Sequence, residues 1–232
     1  MIFEPPLIRA TLLRRYQRFL GDVRLDDGQV VTVHVPNTGS MKGCSKPGAP
    51  VWLSHSDKAS RKYPYTLEII ATHGVLTGVN PALANTLVRE ALEVDVVEEL
   101  AGYASILPER RLASSRLDFL LEGPSGRPRC WVEVKSVTLV EGEAALFPDA
   151  VSARALKHLE VLEAALAEGC RAVIFFLVQR SDGTYFAPAE SIDPAYAHGL
   201  RHALAAGVEA LAYWAEVSPR QIRVAAPLPC RI

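Results

Sequence analysis

Short apolar and polar alternations separated by turn residues fill the first 80 positions: Ile8 to Arg15, Arg18 to Leu25, Gln29 to Val35, Val51 to His55, Thr66 to Ala71 and Val75 to Val79. A period of two puts successive side chains on opposite faces of a strand, so these segments predict strands and not helices. Asp26-Asp27-Gly28 and Thr72-His73-Gly74 supply the turn residues of two hairpins. Short strands with no helical stripe among them predict a small all-β barrel, an architecture of which five-stranded OB barrels are one example. Such barrels often offer a sheet face and loops to oligonucleotides, which permits binding without establishing it.

The pattern changes after Asn80-Pro81. Leu83, Leu87 and Leu92 recur at helical spacing behind a proline, predicting a helix over Pro81 to Leu92 and a domain boundary between residues 80 and 81. Arg116 to Glu122 and Arg129 to Leu139, joined through Gly123-Pro124-Ser125-Gly126, read as a hairpin, and Glu141-Gly142-Glu143 reads as a loop. Asp149 to Glu168 carries Val151, Ala155, Leu159, Leu162 and Leu166 on one face and ends at Gly169, the pattern of an amphipathic helix. A buried strand at Ala172 to Val178, a helix near Pro194 to Ala206 and a strand at Glu209 to Glu216 complete the order. The expectation is an all-β domain over residues 1–80 and an α/β domain with a mixed sheet over 81–232.

Composition narrows the function classes. The longest apolar run, Ala172 to Val178, is far short of the roughly 20 residues that span a bilayer, so no membrane association is expected. Glu4, Pro5, Pro6 and Arg9 stand where an export signal would be continuously apolar, which makes a cytoplasmic location the expectation. Cysteines 44, 130, 170 and 230 have no zinc spacing and read as reduced thiols. Cys44 lies in a polar loop and is expected to be exposed, with no general base near it in sequence to make it a nucleophile. The net charge of −1 argues against a simple basic nucleic-acid binder. The halves differ, however: residues 1–80 hold 10 Lys/Arg against 6 Asp/Glu, and residues 81–232 hold 15 against 20.

On the strand Arg129 to Leu139, alternation puts Trp131, Glu133 and Lys135 on one face and Cys130, Val132 and Val134 on the other. Asp118 lies across the hairpin, between Leu117 and Phe119, where a suitable register aims it at Glu133. Two carboxylates held close repel unless a proton or cation intervenes. A set of oxygen donors selects a hard cation, and Mg2+ (or Mn2+) needs only a few protein oxygens because it keeps several waters. Val134 offers a backbone carbonyl, and Lys135 a charge to favour the hydroxide and the phosphate negative charge of hydrolysis. The plainer alternative is a solvent-facing ladder of cross-strand ion pairs.

An acid on one strand and an acid-x-Lys on the next, here Asp118 and Glu133-Val134-Lys135, resemble the PD-(D/E)XK nuclease superfamily, whose preceding helix carries a further acid that would fall on Glu90. A wider set is more specific. His34-Val35-Pro36-Asn37-Thr38-Gly39-Ser40-Met41, Ser115-Arg116-Leu117-Asp118-Phe119, Val132-Glu133-Val134-Lys135-Ser136-Val137-Thr138-Leu139 and Phe147-Pro148-Asp149-Ala150-Val151 resemble the sugar fermentation stimulation protein (SfsA) family, over nearly the whole chain. The resemblance implies an OB-like barrel followed by a nuclease-like α/β domain, DNA binding and a link to the regulation of sugar metabolism in bacteria. It also implies Asp118, Glu133, Lys135 and Glu90 as catalytic residues, with Asp118, Glu133, Val134 and Glu90 around the metal.

Further basic residues would extend a phosphate-tracking surface: Arg9, Arg14, Arg18, Arg61 and Lys62, with Tyr16 or Tyr63 for stacking, and Arg116. The glycine-rich loop Pro36 to Gly48 adds Lys42 and backbone amides suited to an anion. Arg154, Lys157 and His158 share an arc of the long helix opposite its apolar stripe, either gripping phosphate or forming a solvated face. Three functions stay open at this point. They are a metal-dependent nuclease acting on DNA, a non-catalytic nucleic-acid-binding transcriptional regulator that retains the nuclease scaffold, and a barrel that recognises a small anion. A homodimer is compatible with each.

Overall fold

In a computed structural model, which describes residues 1–113 and 115–232, the chain forms a barrel followed by a mixed sheet with few helices. The barrel strands are β1 (Ile8–Tyr16), β2 (Leu20–Leu25), β3 (Val30–His34), β4 (Pro50–His55) and β5 (Tyr65–Thr72), with β6 (Val75–Gly78) added at the edge. Their order is β3-β2-β1-β4-β5-β6, and the pairing of His34 with Thr66 joins β3 to β5 and closes the barrel. Inward positions Ala10, Leu12, Val23, Val33, Val51, Leu53, Leu67 and Ile70 fill it, together with Met41 and Cys44 from the β3–β4 loop. Both expected hairpins are present, β2 to β3 around Asp26-Asp27-Gly28 and β5 to β6 around His73-Gly74.

Asn80 then caps a short turn at Pro81–Leu83 that leads into α1 (Ala84–Glu93). The second sheet contains β7 (Ser105–Leu112), β8 (Ser115–Glu122), β9 (Cys130–Val137), β12 (Arg171–Val178), β14 (Glu209–Val217) and β15 (Ile222–Leu228), in the order β15-β14-β12-β9-β8-β7. Strands β9, β12 and β14 run parallel, and the flanking strands are antiparallel to their neighbours. Helix α1 covers one face, packing Leu87, Val88 and Leu92 with Val132, Val134, Phe175 and Leu177. The other face, with Trp131, Ile174 and Phe176, lies under α2 (Ala153–Ala167) and α3 (Pro194–Ala206). Because β12 is covered on both faces, its sequence is a continuous apolar run instead of an alternation.

The expected segment Arg129 to Leu139 is two strands: β9 ends at Val137, and Leu139–Glu141 forms β10 in a small sheet with β11 (Ala144–Phe147) and β13 (Tyr185–Pro188). The long helix begins at Ala153 and not at Asp149, because the Ser152 hydroxyl accepts the Ala155 N–H and fixes the cap there. Asp193 caps α3 through Tyr196 N–H and also accepts the Ser152 N–H, so one carboxylate ties the starts of both helices together.

Barrel and sheet are joined by many contacts. Gly78 N–H donates to Gln179 O at 2.9 Å, Met41 N–H to Asp149 Oδ2 at 3.0 Å, and Lys42 pairs with Glu141 at 2.7 Å. Residues Met1 and Phe3 hydrogen-bond to Ile222 and Arg220. At Gly78 the approach is so close that a Cβ would lie 2.5 Å from Gln179 Oε1 and 3.2 Å from Ile222 Cδ1. Gln179 is fully buried and its Nε2 donates to Ser136 Oγ at 2.8 Å, so its amide can move only by giving up that bond. Gly78→Ala is therefore expected to destabilise the protein by about 1–3 kcal/mol, read as a lower urea midpoint. An unchanged midpoint would mean that β6 shifts at no cost.

Candidate metal and phosphate site

Where β8 meets β9, the pairing runs from Leu121 opposite Cys130 to Phe119 opposite Val132 and then stops. The strands part, and the next residue on each side is an acid: Asp118 and Glu133. Asp118 turns into the gap, where its Oδ2 accepts the Val134 N–H at 2.7 Å in place of a strand carbonyl. Its Oδ1 accepts from Asn85 Nδ2 at 2.7 Å, so the first turn of α1 fixes the other oxygen. Both acids line one open cavity of about 460 Å3, shared with Asn85, Val134, Lys135, Arg154 and His158.

Glu133 is only 3% exposed. Lys135 Nζ donates to its Oε1 at 2.7 Å, and His158 Nδ1 from α2 reaches the same oxygen. Burial acts to raise the Glu133 carboxyl, but His158 and Lys135 outweigh it and hold the group below the usual carboxylate range. Asp118 is moved upward, first by burial and then by the Glu133 charge. One atom is left over: Glu133 Oε2 is buried with no hydrogen-bond partner among the described residues. A buried carboxylate oxygen without a donor is costly, and a cation would satisfy it. The residues thus fit a hard divalent ion. Among the described residues no group of three or more His, Cys, Asp or Glu side chains is placed to hold a metal ion.

The structure does not bring Glu90 to this cavity. Glu90 pairs with the Met1 amino group and lines a separate groove with Leu87, Val94 and Arg223. It lies five residues beyond Asn85 along α1, a rise of roughly 7.5 Å, so only the first turn reaches the acids. The helix therefore supplies an amide, Asn85, where the resemblance implied a carboxylate. Asn85 and Thr86 are the polar positions between Ala84 and Leu87 in the helical stripe, but an amide carries none of the charge by which a sequence marks a metal-site residue.

His158 is also corrected: it is buried on the face of α2 that holds Ala155, Leu159 and Leu162, not on a solvated face opposite them. Arg154 is exposed and lines the cavity, whereas Lys157 is exposed outside it. Arg9 and Arg18 are exposed on the barrel. Arg14 pairs with Asp22 and lies over the Tyr16 ring, and Arg116 pairs with Glu109. Lys42 makes the interdomain pair described above. Exposed pairs of this kind contribute little to stability because solvent screens them. Arg61 and Lys62 flank a shallow pocket of about 180 Å3 with His34 and Tyr63. Cys44 is fully buried, not exposed, and burial pushes its thiol up to about 11, which disfavours the thiolate at neutral pH.

Two family models match: the SfsA N-terminal OB domain over residues 13–79, and the sugar fermentation stimulation protein RE domain over residues 82–221. The chain belongs to the SfsA family. Sugar fermentation stimulation protein homologs of Geobacter sulfurreducens and Shewanella baltica are 57% and 48% identical to it, covering 99% and 100% of this chain and 98% and 100% of theirs. A solved structure of Pyrococcus furiosus SfsA in complex with Ca2+ superimposes with a TM-score of 0.89 at 32% identity, over 100% of this chain and 98% of that one. The barrel followed by a mixed sheet is thus an architecture shared with a solved SfsA relative. Among the described residues no helix of this SfsA chain is long and apolar enough to cross a membrane.

Proposed function

We propose that this chain binds nucleic acid, DNA foremost, and hydrolyses phosphodiester bonds with Mg2+ (or Mn2+) held by Asp118, Glu133 and the Val134 carbonyl. The observation that carries the reading is Glu133 Oε2, buried beside a second carboxylate in an open cavity and lacking a donor. The Ca2+ complex of the Pyrococcus furiosus relative supports a hard divalent ion in the family. When bound, such an ion acidifies a water and offsets charge developing on phosphate. The protein's own groups supply the rest. Lys135 and His158 hold Glu133 Oε1, Asn85 and the Val134 N–H hold Asp118, and Arg154 stands at the cavity wall to receive a phosphate. Arg9, Arg14, Arg18, Lys42, Arg61, Lys62, Arg116 and Lys157 would track the backbone further out.

The test is incubation of labelled single- and double-stranded DNA and RNA with the purified protein across Mg2+ and Mn2+ titrations, beside Lys135→Ala. Metal-dependent cleavage that the variant loses is expected, as is affinity that falls as salt rises, because bound phosphates release counterions. If no substrate is cut in either metal, hydrolysis is rejected. Asn85, an amide in place of an acid, favours a second reading: a binding protein on a nuclease-like scaffold, with a regulatory role in sugar metabolism that the family name points to. That reading requires binding that survives Glu133→Ala without cleavage by the wild type.

A further inference from the structure

A narrow slot opens beside the cavity, between barrel and sheet. Asn37, Ser136, Thr138, Phe147 and Asp149 are among its walls, and it encloses about 70 Å3. Pro81 and Ser136 line both the slot and the larger cavity, so the two spaces meet there.

The loop carrying Asn37 is fixed from both sides. Arg15 donates to the carbonyls of Arg18, Asn37, Gly39 and Ser40 at 2.7 to 3.1 Å. From across the domain interface, Asp149 Oδ2 accepts from Met41 N–H and Ser40 Oγ at 3.0 and 3.2 Å. The loop passes so tightly that a Cβ on Gly39 would lie 2.8 Å from Asp149 Oδ1 and 2.9 Å from Asn37 Oδ1. A loop held this way presents its side chains already ordered, which lowers the entropic cost of binding.

Its chemistry is mixed. Asn37 Oδ1 accepts the Gly39 N–H at 2.8 Å, which leaves the Nδ2 protons as donors. Ser136 Oγ accepts from Gln179 Nε2 at 2.8 Å, so its own proton remains to be donated. Facing these donors are the Asp149 carboxylate, an acceptor, and the Phe147 ring. The slot lining holds no cation. Arg15, the cation that acts on Asp149, commits its guanidinium to the loop carbonyls, so a phosphate would meet the Asp149 charge with no cation in the slot lining among the described residues, whereas the edge of a base offers both acceptors and donors. The cations, Lys135 and Arg154, are in the adjoining cavity.

We infer that the slot is a nucleoside subsite. Resting on the nucleic-acid reading above, the assignment is that Lys135 and Arg154 take a phosphate in the cavity while Asn37 and Ser136 hydrogen-bond the base edge of the adjoining nucleotide. The volume admits the edge of a ring and not a whole nucleotide. Asn37 and Ser136 thereby become specificity residues contributed by different domains.

The test is fluorescence anisotropy with fluorescein-labelled DNA 12-mers, each carrying one abasic residue at a successive position, with Ca2+ in place of Mg2+. In the wild-type protein one position is expected to weaken binding by about five- to tenfold, the worth of one or two hydrogen bonds. In Asn37→Ala and in Ser136→Ala that dependence on position should disappear while the other positions behave as before. This pattern compares substrates within one variant, so a general loss of stability does not imitate it. Wild-type binding with no sensitive position, or a sensitive position retained in both variants, overturns the subsite alone. Absence of any binding by the wild type overturns the nucleic-acid reading and the subsite with it.

Discussion

Glu133→Gln is expected to lower divalent-dependent cleavage by more than the roughly 10–100-fold typical of losing an outer partner of a metal ligand, and to remove Mg2+ binding from a calorimetric titration. The substitution keeps the shape of the side chain and changes its charge. Glu133 Oε1 faces both Lys135 Nζ and His158 Nδ1, an arrangement that only a carboxylate balances. Its Oε2 is the buried oxygen without a partner, the atom a cation would use. An amide leaves the Lys135 ammonium without its counter-charge and offers at most one neutral oxygen to the ion. The variant should still bind DNA, because phosphate contacts by Arg154 and the barrel cations do not pass through Glu133. Wild-type cleavage by the variant would remove Glu133 from the metal site. Loss of DNA binding in parallel with metal binding would instead show that the ion is part of the docking surface.

The candidate site was legible where strand alternation carries the information. Alternation puts Glu133 and Lys135 on one face and the hairpin brings Asp118 across from them, and the three line one cavity in the structure. Sequence periodicity does not report where two strands part, and that parting is what lets Asp118 turn to the Val134 N–H. Positions on helices were less legible. Glu90 is a plausible acid by distance along the chain, yet a residue one and a half turns down α1 cannot reach a site at its first turn. His158 shares an arc with Arg154 and Lys157, and the polarity of all three made it look solvated, although the same arc borders Ala155, Leu159 and Leu162. Its burial follows from Glu133, which gives a polar ring a partner inside the interface.

Edge strands were missed for a related reason. β7 exposes Glu109, Arg110 and Arg111 and contains Pro108, so it lacks the alternation that marked the inner strands. β15 carries Pro227, tolerated where one side of the strand needs no partner. Edges with charges and prolines resist pairing with other chains, and the same features hide them from a search for apolar periods.

Phe176→Ala is expected to reduce stability by about 3–5 kcal/mol, a large part of the roughly 5–15 kcal/mol that holds a typical domain together. Phe176 is fully buried on β12 and stands opposite Lys135 in the register with β9. Its ring stacks on Phe186 with centroids 3.8 Å apart, and Phe147 lies 5.9 Å away with its own ring set edge-on to Tyr196 at 5.2 Å. One side chain thus joins the central strand to β13, β11 and, through Phe147, to α3. Removing it opens a cavity among rings too rigid to collapse into the space, so the cost should lie near the upper end of the range for aromatic deletions. Urea unfolding at 25 °C should show a lower midpoint with the slope unchanged, and Phe176→Leu, which keeps most of the volume, should lose far less. Because Phe176 sits on the strand paired directly beside the one that carries Glu133 and Lys135, Mg2+ affinity measured on the folded variant should fall along with stability. A midpoint lowered by the expected amount with metal affinity intact would show that β9 keeps its position without this support, and that the acids are fixed by Asn85, Val134 and His158 alone.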